Sequence, residues 1–342
     1  MSQAVPNLLN PTRGAWHTRG FFATQTAYVS IALVVIVVVI SLLAPVFLTL
    51  GNLANVATNF SYIAIVSLGA TLVIITGGID LSVGSVMAVT AILTGLFFRW
   101  AGASPLAAVP GLAMSAAVVG GLLVATCIGL INGWLIARME LTPFVTTLGM
   151  LSVARGLCYA ITRGAGVAID GADADLFSNL TDGAVFGVPA PLLYLLALAI
   201  GMGVFLHHTA AGRHVFALGG NERAARLAGV AVVRVKMGVY VASALLAGFA
   251  GILMAGWLGS VPANLAQGYE LRIIAAAVIG GANLNGGIGG PTGAVVGAAL
   301  IEVIRNGLVL ARVDTYWQDT LVGVIIIAAV FVDRLRSRRI GS

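Results

Sequence analysis

Residues 207–236 read HHTAAGRHVFALGGNERAARLAGVAVVRVK, the longest polar and basic interruption in an otherwise apolar chain. Within it, Asn221 is placed to cap a short helix and Gly229 to stop it in the left-handed conformation, enclosing about two turns from Glu222 to Ala228. On that helix Ala224, Leu227 and Ala228 fall at i, i+3 and i+4 and form a small apolar face, while Glu222 and Arg226 pair at i, i+4. Such an element reads either as one amphipathic turn in a solvated loop or as a plug for a groove on another protein.

The surroundings of this stretch set the fold class. Of 342 residues, 59% are hydrophobic and 9% charged, and the mean hydropathy is +1.04, values that soluble domains do not reach. The chain reads as an all-α polytopic integral membrane protein. Apolar runs at 27–48, 57–76, 82–98, 109–136, 143–161, 189–206, 235–258, 271–279, 291–310 and 317–332 predict about ten transmembrane helices at about 20 residues per span, the eighth short. The first run is too long for a signal-peptide core and lacks a cleavage site, so it is expected to be retained.

Charge fixes the expected orientation. Arg13, Arg19, Arg138, Arg213, Arg223, Arg226, Arg234, Lys236, Arg334, Arg336, Arg338 and Arg339 fall on one side of this topology. Arg99, Arg163, Arg272 and Arg312 share the other with Asp170, Asp173, Asp175, Asp182, Glu270 and Asp314. Basic loops stay inside, so both termini and 207–236 are predicted to be cytoplasmic. The divisions expected are a cytoplasmic N-terminal segment 1–26, a transmembrane domain 27–333 holding an outward loop at 163–188, and a basic cytoplasmic tail 334–342. The net charge of +6 sits beside spans instead of forming one patch. That predicts a lipid bilayer and no nucleic acid as partner.

Two glycine-rich breaks interrupt the apolar runs: GGIDLSVG at 77–84 and GGANLNGGIGGPTG at 280–293. They occupy corresponding positions in two halves, the usual sequence mark of a transport path. Irregular backbone near a membrane must be buried in protein or line a wet cavity. Gly77, Gly78, Asp80, Ser82 and Gly84 of the first break and Gly280, Gly281, Asn283, Asn285 and Gly287 of the second are therefore candidates for a translocation path. Asp80, at the edge of two apolar runs, reads either as a cap of the next helix or as a gating or solute-binding group. Small residues recur every four positions at Gly121, Ala125, Gly129 and Gly133, at Ala247, Gly251, Ala255 and Gly259, and at Gly289, Gly293 and Gly297. These are stripes for close helix packing.

Catalysis finds no support. Lys236 is the one lysine and no Ser or Thr follows it, so neither break is a Walker A loop. No histidine lies at membrane depth beside a nucleophile, and Cys127 and Cys158 sit in apolar runs without metal spacing. Glu302 and Arg305 pair at i, i+3, while Arg155 stands within an apolar run without an evident partner.

The segments GGIDLSVGS at 77–85, GRHVFALGGNERAARLAGV at 212–230 and the glycine pattern at 280–293, in this order, resemble the permease subunit of ribose/xylose/galactose-type ABC sugar importers. The resemblance implies a transmembrane permease of the bacterial inner membrane, moving a pentose or hexose inward by alternating access. It implies a second permease copy, like or identical, and a periplasmic sugar-binding protein. It also implies a separate ABC ATPase that binds ATP and magnesium, with no cofactor in this chain. It assigns ATPase coupling to Asn221, Glu222, Ala224, Ala225, Leu227 and Gly229. By chemistry, Asn59, Asn283, Asn285 and Trp134 offer hydrogen bonds or an aromatic face to a sugar. The rival readings are an ion-coupled secondary carrier with Asp80 as protonation site, and a related ABC permease for another small solute such as branched-chain amino acids.

Overall fold

The computed structural model describes residues 25–171 and 173–314, together with Trp317, Thr320, Leu321, Gly323 and Val324. Most of segment 1–26, most of the apolar run 317–332 and all of the tail 334–342 lie outside the described residues. In chain order the helices are α1 (Gln25–Leu43), α2 (Leu50–Ile75), α3 (Val83–Gly102), α4 (Leu112–Ala137), α5 (Pro143–Thr162), α6 (Ala174–Asp182), α7 (Ala190–His208), α8 (Ala210–Gly220), α9 (Glu222–Leu227), α10 (Val232–Leu258), α11 (Tyr269–Ile279) and α12 (Pro291–Leu310). Two-residue strands add β1 (Val167–Ala168), β2 (Ala184–Val185), β3 (Val188–Pro189) and β4 (Ser260–Val261). Among the described residues, eight helices are long and apolar enough to cross a membrane: α1 to α5, α7, α10 and α12.

The first span is shorter than the run 27–48 suggested. Ala44 adopts an extended conformation before Pro45, as the proline ring requires, and Pro45–Leu48 form a separate 3₁₀ turn. α2 is buried nearly all round from Ser61 to Ile75, with α10, α12, α11 and α7 packed about it. Its polar start is satisfied across the bundle, where the amides of Asn52 and Asn306 exchange hydrogen bonds of 3.1 and 3.0 Å.

Small residues set how closely the helices approach. Gly121 lies against Thr94 of α3, Gly129 against Val241 and Gly133 against Met237 of α10. Gly251 lies against the backbone of Met87, Gly293 against Gly280, Gly297 against Ala276, and Gly289 against Ile75. Backbones this close gain dispersion contact where lipid offers no hydrophobic drive. Glu302 is buried within α12 and carries its own partner, accepting from Arg305 one turn on.

The eighth run is not a complete span. After α10 the chain pairs β4 with β1, Val167 opposite Val261, and then returns into the bundle as successive turns over 262–268. Only the 11 residues of α11 are helical. The loop 163–188, expected to face outward, carries structure of its own. Phe177 of α6 is buried against Phe98, and Asp173 accepts from the amides of Gly111 and Met114 at 2.9 and 3.1 Å. The start of α4 is thus capped from a distant segment, which no local spelling announces.

Replacing Gly251 with Val forces a side chain into the Met87 backbone. Overpacking of this kind costs about 1–3 kcal/mol, expected as a lowered unfolding midpoint in detergent. The same change at Gly149, where a Cβ meets open space, is expected to leave the midpoint in place.

Candidate functional site

The site is built at the end of the bundle where α7 leaves and α10 enters. Thr209 caps α8 by accepting from Gly212 N–H at 3.0 Å, and Val215 and Leu218 are buried beneath it. This helix lies inside what the sequence presented as loop, because its apolar positions are few and interrupted by glycine. The expected short helix follows as α9. Asn221 Oδ1 accepts from Ala224 N–H at 2.9 Å. Gly229, at φ +85°, ends the helix as Gly229 N–H donates to Arg226 O at 3.1 Å and Val230 N–H to Ala225 O at 3.0 Å, the Schellman pattern.

The two faces of α9 differ. Ala225 is turned inward, whereas Ala224, Ala228 and Leu227, 85% exposed, face outward with nothing of this chain over them. Glu222 accepts from Arg226 at 3.2 Å, the pair the spacing suggested, and also from Lys236 Nζ at 2.7 Å. The second bond ties α9 to the first turns of α10. The Lys236 ammonium hydrogen-bonded to Glu222, with Arg226 adding, holds its carboxyl below the usual carboxylate range. A polar cleft of about 390 Å³ runs from Glu222 and Lys236 to Glu140 and Thr142 in the α4–α5 connection.

Both glycine breaks reach this end and meet α8. Gly287 N–H donates to Ile75 O, the last helical carbonyl of α2, at 2.8 Å. Gly219 of α8 lies so close to that same carbonyl and to Gly287 N that any Cβ would overlap them. Gly286 rests on Gly219 and approaches Gly77 N, and Gly77, at φ +78°, faces Asn285 O. Asn283 Oδ1 accepts from Asn285 N–H at 2.9 Å, closing the tip of the second break. Gln25 donates to Val278 O and Ile279 O at 3.3 Å, and Thr26 to Gly280 O at 3.2 Å, so α1 caps the C-terminus of α11 beside Gly281.

Asp80 is buried in the first break. Its Oδ1 accepts from Ser82 N–H at 3.0 Å and Ser82 Oγ at 2.6 Å, and its Oδ2 from Ser243 Oγ of α10 at 3.0 Å. Asn132 of α4 donates to Ser82 Oγ at 3.0 Å, and Thr147 of α5 accepts from Leu81 N–H at 3.1 Å. Asp80 therefore makes a local turn with Ser82 and does not reach the inner amides of α3, where no side-chain cap is formed. It laces the break to α10, and through Ser82 to α4. Gly78 lies against Tyr240 and Gly84 against Glu270. The Tyr240 hydroxyl and Glu270 Oε2 are buried there without a partner among the described residues.

A third irregular segment was not recognised from sequence. Arg155 of α5 donates to Leu265 O at 2.8 Å and Ala263 O at 3.4 Å. This cation within a span thus satisfies carbonyls of the turns at 263–268, as irregular backbone buried in protein requires. Arg155 lies seven residues from Thr162, about 10 Å along the helix. Asn264 and Gln267 are exposed on the same turns. Arg155 itself, with Pro262 and Gly268 bracketing five residues, was the available signal. The four expected sugar contacts are not gathered: Asn283 and Asn285 sit in the second break and Trp134 on the outer face of α4. Asn59 lies 16 residues from Ile75, about 24 Å along α2, with its amide donating to Asn55 O at 2.9 Å.

Residues 52–330 match the family described as branched-chain amino acid transport system, permease component. The chain is 38% identical to a probable ABC transporter permease protein of Sinorhizobium fredii, over all of both chains. It is 38% identical to the ribose import permease of Escherichia coli, over 89% of this chain and 92% of that one. It is 34% identical to the D-allose transport system permease of Escherichia coli, over 90% of each. No solved structure matches the chain significantly.

Two outcomes follow from the geometry. Because the folded-state pKa of Glu222 is depressed, its tie to Lys236 is complete above the free carboxyl's pKa of about 4.3 and is lost as pH falls through the lower folded value. A spin label at Leu227 is expected to stay restricted from pH 8 down to about 4.3 and to loosen only below it. In Glu222→Gln it is expected to be mobile already at neutral pH. Arg155→Gln leaves carbonyls of 263–265 unmet, so a thiol at Asn264→Cys is expected to react faster with a polar maleimide. Arg155→Lys is expected to restore part of the protection.

Proposed function

The chain belongs to the permease-component family matched above, and from that premise we propose that it is the membrane-spanning subunit of an ATP-binding-cassette importer that carries a monosaccharide into the cell. Such a subunit is a multi-pass inner-membrane protein that works with an ATPase and a solute-binding partner, and it is not itself the ATPase. The observation that carries the cargo is the near-full-length identity to permeases named for ribose and D-allose. The family description also covers branched-chain amino acids, which makes them the competing cargo. Membership among ABC permeases weighs against an ion-coupled carrier. Asp80 fits a tie between elements better than a protonation site, since its oxygens are held by three donors.

In this reading the outward face of α9, Ala224, Leu227 and Ala228, docks on the ATPase, in which ATP and magnesium act. Asn221, Glu222, Ala225 and Gly229 shape and anchor that helix. Displacement of α9 passes to α10 through Glu222 and Lys236, and through α8 and Gly219 to the backbone of both breaks. The path for solute runs past Gly77, Gly78, Gly84, Gly280 and Gly287 and past Asn264 and Gln267, whose exposed amides suit a neutral polyol better than lipid. A second permease copy supplies the facing wall. This end of the bundle, with both chain termini, is cytoplasmic by the distribution of basic residues.

The test is uptake of labelled ribose in cells that carry the chain with its ATPase. Competition is expected from ribose and allose and not from leucine or valine, and uptake is expected to vanish without the ATPase. Competition by leucine alone would assign the amino-acid cargo. Gly229→Val strains the left-handed stop by about 1–2 kcal/mol. It is expected to release the ATPase during detergent purification and to lower uptake at unchanged membrane insertion. Normal co-purification and uptake in that variant would overturn the coupling role of α9.

A further inference from the structure

α7 packs on α2, α8 and α12, and the space left between α7 and α10 is a groove of about 790 Å³. Leu68 and Leu72 of α2 form its floor, and α8 closes the end near the α9 loop. Its walls are hydrocarbon, with Met202 and Phe205 on one side and Gly238, Ala242 and Leu246 on the other. At the α8 end alone the lining turns polar, with His214 and Arg234. Both are exposed, and no acidic residue lines the groove. Among the described residues Arg234 has no ion-pair partner, in contrast to its neighbour Lys236.

The dimensions fit one leaflet. Arg234 and Leu246 are 12 residues apart on one helix, about 18 Å. Half of a bilayer spans about 15 Å of hydrocarbon and about 20 Å with its headgroups. A phosphate at Arg234 therefore places an acyl chain along the whole apolar length, ending near Leu246. An uncompensated cation at the headgroup level favours a lipid with net negative charge.

We propose that this groove is a binding site for an anionic phospholipid, its phosphate held by Arg234 and His214 and one acyl chain lying between α7 and α10. The bound lipid would brace α8 against the start of α10, the two arms on which α9 is carried. This assignment is independent of the cargo.

The experiment uses the full chain in nanodiscs of phosphatidylcholine doped with photoreactive phosphatidylglycerol, and in parallel with photoreactive phosphatidylcholine. Phosphatidylglycerol is expected to label peptides of α7 and α10 around Phe205 and Ala242 in preference to phosphatidylcholine. Arg234→Gln is expected to lower that labelling about fivefold, the effect of one basic residue at an anionic surface. Gly238→Leu fills the groove where a Cβ meets open space. It is expected to abolish labelling while the unfolding midpoint stays that of the parent. Equal labelling by both lipids, or labelling unchanged in both variants, would overturn the proposal. So would a disulfide between two copies formed through Leu198→Cys in a background lacking Cys127, since a second copy would then cover the groove.

Discussion

One carbonyl, that of Ile75, holds the arrangement together. It ends α2, the helix buried at the centre of the bundle, and accepts from Gly287 N–H of the second break. Gly219 of α8 presses on the same atom. Three chain segments separated by long stretches of sequence meet there backbone to backbone, with no side chain between them. Contacts of this kind transmit displacement with little slack, because side-chain rotamers cannot absorb it. A push on α8 is a push on the ends of α2 and on the second break together.

The membrane explains why the polar groups around this junction are so fully tied. Backbone outside a helix has no water to turn to in hydrocarbon. Each irregular segment is therefore held by named side chains: 77–82 by Asp80, Ser243, Asn132 and Thr147, 262–268 by Arg155, and the end of α11 by Gln25 and Thr26. The ties cross between α3, α4, α5 and α10, so the breaks are fixed relative to several helices at once. Among the described residues several buried polar atoms have no partner, and two of them, the Tyr240 hydroxyl and Glu270 Oε2, border the same region. Buried polar atoms without partners mark places where a second arrangement can compete with the first.

The small-residue stripes serve the opposite need. Gly121, Gly129 and Gly133 on α4 and Gly251 on α10 bring helix backbones into contact over long lengths. The resulting block of α2, α3, α4 and α10 is the frame against which α8 and α9 are mounted. The outer surfaces of α1 and α5 remain apolar and exposed, as lipid or a second copy requires.

The sequence by itself determined the membrane class, eight of the spans and the two caps of α9, because these rest on local chemistry. Hydrocarbon thickness sets the length of an apolar run. An Asn cap and a left-handed Gly stop are spelled within eight residues of each other. Its four-residue glycine stripes likewise pointed to the faces that pack. Only the tertiary structure decided what the breaks touch. That Asp80 binds Ser243, that Arg155 meets the carbonyls of Ala263 and Leu265, that Lys236 joins Glu222 and that Asp173 caps α4 are contacts across 14 to 163 residues of chain. No periodicity encodes such pairings. They arise because a polar group buried away from water gains most from whatever partner packing brings near.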